Sequence, residues 1–202
     1  LFGSGRTDSG VHAIEQSAHF DCETKINQTD KLLKSINHFL NKEGVTILKI
    51  KKKKANFHAR FSAKMRIYRY VIINRLSVPV LEKNKGWHIT KVLDLKLMKK
   101  GAKKLIGTKD FSTFRASSCR AKSPIKTMKL VKIKKSKNKI EIEFRSQSFL
   151  QQQVRSMVGC LKYLGEKKWS LKKFETVIKS KKRTLCAPPA PAEGLFLTRV
   201  IY

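Results

Sequence analysis

Apolar positions along this chain change period from segment to segment, and each change marks an element. "QSAHFDC" places Ala18, Phe20 and Cys22 in alternation, which predicts a strand. In "TDKLLKSINHFLNKEG", Leu32, Leu33, Ile36, Phe39 and Leu40 recur at helical spacing. Thr29 or Asp30 can cap that helix and Gly44 can end it. "VTILKI" reads as a short buried strand. "MRIYRYVIINR" reads as a strand apolar on both faces, with Tyr68 and Tyr70 on the same side. "DLKLMKKGAKKLIG" predicts a helix capped by Asp94, and "KDFSTFRASSCRAKSP" a basic, Ser-rich loop. "TMKLVKIK" and "KIEIEFR" predict a hairpin in which Ile140, Ile142 and Phe144 face inward and Glu141 and Glu143 face water. In "SFLQQQVRSMVGCLKYLG", Leu150, Val154, Met157, Val158 and Leu161 form a core stripe. Ser148 and Gln151 fit a capping box there, and Gly165 fits the stop. A further helix is expected from Ser170, with Leu171, Phe174, Val177 and Ile178 inward. "APPAPAEG" excludes both helix and central strand, and "LFLTRVIY" closes the chain as a strand. Strands and helices mix without regular βαβ alternation. The expected fold class is α+β, a mainly antiparallel sheet flanked by helices. The halves, 1–90 and 91–202, read as two subdomains.

Charge changes the picture. Lys and Arg number 46 against 14 Asp and Glu, a net charge of +32 over 202 residues. That balance points to a polyanion, with nucleic acid first. A Lys-rich proteome is the plain alternative, because much of the excess is Lys, as in Lys51–Lys54. Cys22, Cys119, Cys160 and Cys186 are scattered, with no C-x-x-C and no metal-ligand spacing, and read as reduced thiols of a cytoplasmic protein. No stretch is apolar for the length a membrane-spanning helix needs, and no signal peptide is expected. The apolar pair Leu1-Phe2 runs straight into a glycine loop, like a strand cut open, so residues upstream are expected.

That loop, "GSGRTDSGVH", carries the candidate chemistry. Glycines permit a sharp bend, and Asp8 is the loop's one carboxylate, flanked by Arg6. An ionised, aimed carboxylate serves as nucleophile or base, and a nearby guanidinium favours ionisation. An Asx-turn to its own backbone is the equal alternative. The spacing is not that of a nucleotide P-loop. Arg155 stands at the edge of a buried stripe, where it must snorkel out or pair with an anion. Tyr68, beside Arg66 and Arg69, is either packing or a stacking surface for a base. "FHARF" and "FRASSCRAKSP" interleave aromatic and basic residues, which suits phosphate contact and base stacking.

Five motifs in order, "GSGRTDSGVHA", "ARFSAKMRIYRYVI", "DFSTFRASSCRAKSP", "SFLQQQVRSMVG" and "APPAPAEGLFL", resemble the TruA family of tRNA pseudouridine synthases, over nearly the whole chain. The resemblance implies a pseudouridine synthase-like fold with two similar subdomains around a basic cleft. It implies isomerisation of uridine to pseudouridine in the anticodon stem-loop of tRNA, with no metal or organic cofactor, by a homodimer with tRNA spanning both subunits. It assigns Asp8 as the catalytic residue, Arg155 as its partner, Tyr68 against the target base, and Arg6 as a residue holding RNA with that base flipped. Arg60 and the segment Phe114, Arg115, Ala116, Ser117 and Ser118 match regions that touch tRNA. The Gln-Gln-Gln before Val154 departs from relatives that carry a His or an aromatic there. A non-catalytic tRNA- or rRNA-binding protein is the rival reading.

Overall fold

The computed structural model describes residues 1–202. The long strand β4 (Met65–Asn74) lies in the middle of a seven-stranded sheet. On one side it pairs antiparallel with β8 (Lys139–Ser146), which continues to β7 (Ile125–Ser136) and β6 (Gly107–Asp110). On the other side it pairs antiparallel with β9 (Leu195–Ile201), and β9 carries β2 (His12–Ala13) in parallel. The end of β4 also takes β5 (Trp87–Ile89) in parallel. A separate two-stranded ribbon joins β1 (Phe2–Gly3) to β3 (Ala18–His19). The four helices are α1 (Thr29–Leu40), α2 (Leu95–Lys104), α3 (Gln153–Gly165) and α4 (Leu171–Ser180). The sheet runs across the 90/91 boundary, because β4 is hydrogen-bonded to two strands of the later half.

Alternation builds the core. Ile140, Ile142 and Phe144 of β8 are wholly buried and meet Tyr70 and Ile72 of β4. Val154, Met157, Val158 and Leu161 of α3 join the same core, and α2 packs on β7, α3 and α4. The expected hairpin, the Asp94 cap and the stripe of α3 all form; Asp94 accepts from Leu97 N at 2.9 Å. Ser170 caps α4. No helix is long and apolar enough to cross a membrane.

Four local expectations fail. "VTILKI" is not a strand: Val45 and Leu48 are exposed, and Ile47 exchanges two hydrogen bonds with the side chain of Asn37 on α1 instead of pairing with another strand. The alternation of Ala18, Phe20 and Cys22 yields only a two-residue strand, with Phe20 and Cys22 exposed. The Ser148/Gln151 capping box does not form. The Gln151 carbonyl is taken by Ala116 N, and Gln153 Oε1 accepts from Leu150 N at 2.8 Å. Gln152 then enters α3 in the left-handed region at φ 59°. Gln28, rather than Thr29 or Asp30, occupies the N-cap of α1 and makes no side-chain cap bond.

Gly159 lets the Pro-rich segment lie directly on α3. A Cβ there would stand 2.0 Å from the Pro188 carbonyl oxygen, a main-chain atom that cannot swing aside. Gly159→Ala is expected to destabilise by about 1–3 kcal/mol, the range for overpacking. A urea midpoint equal to wild type would refute the close approach.

Candidate active site

Every second residue of β4 from 66 to 70 turns inward: Arg66, Tyr68 and Tyr70 are buried, and each supports a different part of one site. Tyr70 donates to the Pro191 carbonyl at 2.8 Å and packs on Gly194, where a Cβ would stand 2.5 Å from its ring. It thereby fixes the segment 190–194. Ala190 of that segment meets Arg155 twice: its N–H donates to the Arg155 carbonyl at 3.0 Å, and its carbonyl accepts from Arg155 Nε at 2.7 Å. With Nε held, the guanidinium aims Nη1 at Asp8 Oδ2, 2.8 Å away. The Asp8 loop closes by Val11 N donating to the Asp8 carbonyl, and Gly10 takes φ +79° where it abuts Ala192. A side chain at Gly10 would be strained by that φ.

The pair is half-shielded: the Arg155 and Asp8 side chains are 16% and 25% exposed. That openness leaves the carboxylate reachable from solvent. Tyr68 feels two opposite charges. Burial raises its phenol above the ordinary value; Arg66 opposes that and Asp8 adds to it. Its ring meets Phe149 edge-on, centroids 5.1 Å apart. Arg66 donates to main-chain carbonyls of Ser4, Arg60 and Gln147.

Asp8, Tyr68 and Arg155 therefore converge, although they come from a loop, a strand and a helix far apart in sequence. Other expectations need correction. Arg6 is exposed and makes no ion pair with Asp8; the partner is Arg155, 147 positions away. Of the two arginines beside Tyr68, Arg66 is buried and Arg69 points to the opposite face, where it pairs with Glu141 at 3.5 Å. Phe114 and Ala116, 0% and 6% exposed, have their side chains in the core. Arg115 is half-buried and folds back on the Cys119 and Ala121 carbonyls. Ser117, Ser118 and Arg60 are exposed. Lys52, Lys53, Lys54, Asn56, Phe57 and Ser62 line an open basic hollow of about 660 Å³ that does not include Asp8. No three His, Cys, Asp or Glu side chains converge as a metal site. Sequence reading also missed Cys160 and Cys186, whose Sγ atoms lie 3.4 Å apart as free thiols. They are 26 positions apart, and only the close seating at Gly159 brings them together.

The family model for tRNA pseudouridine synthase matches residues 102–202. A tRNA pseudouridine synthase A of Pelagibacter ubique (strain HTCC1062) is 74% identical over 202 residues, all of this chain and 82% of that protein. The chain belongs to the tRNA pseudouridine synthase family. Family members also named tRNA pseudouridine synthase A, from Parvibaculum lavamentivorans (strain DS-1 / DSM 13023 / NCIMB 13966) and Maricaulis maris (strain MCS10), are 42% and 40% identical over the same 202 residues, covering 82% and 81% of their lengths. The match to these family members runs through the glycine loop as well as the α3 segment, so both partners of the ion pair lie inside it.

Arg155→Ala strips Asp8 of its counter-charge and leaves the Ala190 carbonyl without its donor. The expected loss is about 2–3 kcal/mol, below the figure for a fully buried pair because both side chains retain some water. Thermal melting checks this: a midpoint unchanged from wild type would mean the pair contributes nothing to folding.

Proposed function

We propose that this chain isomerises uridine to pseudouridine in the anticodon stem-loop of tRNA, with Asp8 as the reacting carboxylate. Membership of the family supports the reaction. The observation that carries the assignment is the Arg155–Asp8 contact at 2.8 Å, which aims a carboxylate in a glycine-framed loop next to Tyr68. The reaction breaks the glycosidic bond, turns the base, and joins its C5 to the ribose. The target base must leave its stack, at a cost of a few kcal/mol. A +32 surface offsets this by holding the flanking backbone. Arg60, Ser117, Ser118 and the lysines of the basic hollow are the proposed backbone contacts, with Arg6 beside the flipped nucleotide. Tyr68, 8% exposed, acts as a wall of the base slot, not as an open stacking platform. Arg155 orients Asp8 and supplies its counter-charge. No metal or organic cofactor takes part.

The finer proposals rest on the same reading. The 1–90 half supplies Asp8 and Tyr68, and the 91–202 half supplies Arg155, so the site lies where the halves meet. A cytoplasmic homodimer with tRNA across both subunits suits the substrate's size.

Making pseudouridine expels the hydrogen at uridine C5. Tritium release from C5-labelled tRNA is expected with the wild-type chain and absent with Asp8→Asn, which nearly preserves the loop's shape. Full release by Asp8→Asn would remove Asp8 from the chemistry. Tight tRNA binding without release by wild type would favour the non-catalytic reading.

A further inference from the structure

Arg66 is 8% exposed, yet its guanidinium has no carboxylate partner. Burying an unpaired cation is costly, and burial draws its proton affinity below the ordinary value. Its hydrogen bonds all go to main-chain carbonyls, and these belong to three separate segments. Nε and Nη2 both donate to Ser4 O, at 3.2 and 2.5 Å. Nη2 also reaches Arg60 O at 2.7 Å, and Nη1 donates to Gln147 O. Ser4 stands four residues before Asp8, Arg60 lies on the basic loop, and Gln147 leads into α3 and Arg155. Ser4 is fully buried, and its N–H donates to Ser17 O at 2.7 Å. Gly5 packs against the guanidinium edge, with a Cβ position 3.7 Å from Nε. The planar fork of five N–H donors is what allows one side chain to join three carbonyls.

We propose that Arg66 is a positioning residue for the reaction: it fixes the base of the Asp8 loop relative to α3 and ties the Arg60 loop to the same point. This rests on Asp8 being the reacting carboxylate. Arg155 orients the tip of the loop; Arg66 anchors its root. Without the guanidinium, Ser4 O loses both donors and the loop can pivot. A shift of about 1 Å in a reacting group costs up to about 100-fold in rate. Of the proposed RNA contacts only the Arg60 loop loses a tie, while the lysines of the basic hollow, Ser117 and Ser118 are untouched, so the loss falls mainly on kcat, with only a small rise in KM.

The test uses Arg66→Met and Arg66→Lys in the full-length chain. Three readouts are needed: kcat and KM with tRNA, melting midpoint, and hydrogen exchange of residues 3–10. Arg66→Met is expected to lower kcat about 30- to 100-fold with KM within about threefold of wild type. Arg66→Lys keeps the charge but cannot fork across three carbonyls, and falls between. Both speed exchange in the loop more than in β4 or α3. A raised KM with unchanged kcat would place Arg66 on the RNA instead. Loss matched by uniformly faster exchange would make it merely structural. If Arg66→Met does not fold, Arg66→Lys decides: wild-type kcat and wild-type loop exchange overturn the proposal. Loop exchange is read without any activity, so it stands apart from Asp8→Asn, whose full turnover would instead refute the role of Asp8.

Discussion

The ion pair between Asp8 and Arg155 closes the chain over 147 positions, and the surrounding structure keeps that closure in register. An ionised carboxylate held by one guanidinium nitrogen is free to rotate unless its partner is also fixed. Here the partner is fixed by Ala190, through one main-chain and one side-chain bond. Ala190 in turn lies in a segment pinned by Tyr70 and seated on Gly159. The carboxylate's aim therefore traces back to the central strand.

That strand also explains why the inward face of β4 is polar at one end. At Val71, Ile72 and Ile73 both faces are apolar and buried. Toward Met65 the inward positions become Tyr70, Tyr68 and Arg66, each carrying a polar tip on a buried stem. The gradient marks where the apolar core gives way to the candidate site. It also exposes Tyr68 to the charges of both Arg66 and Asp8, while Arg66 itself has no acid partner.

Local patterning was legible wherever neighbours in sequence are also neighbours in the structure. Ile140, Ile142 and Phe144 announce β8, and Asp94 and Ser170 announce their helices, because alternation and caps are short-range facts. "VTILKI" misleads because a strand needs a partner edge, and Asn37 takes its backbone groups instead. Ser148 and Gln151 mislead because their surroundings are claimed by Ala116 and Gln153. At the site, Asp8, Tyr68 and Arg155 were legible through ordered motifs, whereas spacing alone left Asp8 divided between chemistry and a turn. The burial of Arg66 beneath three carbonyls was not legible, because those carbonyls come from segments distant in sequence. Phe114 and Ala116 sit in a basic stretch, yet their small or aromatic side chains turn to the core.

The placement of β9 next to β4 has a consequence for biosynthesis. The ribosome delivers the Asp8 loop first, then β4, and only much later the segment around Ala190 and strand β9. Until those residues emerge, one edge of the central strand lacks its neighbour and Arg155 lacks the carbonyl that aims it. The aim of the Asp8 carboxylate is therefore completed late, only once the segment around Ala190 is free to fold back onto α3.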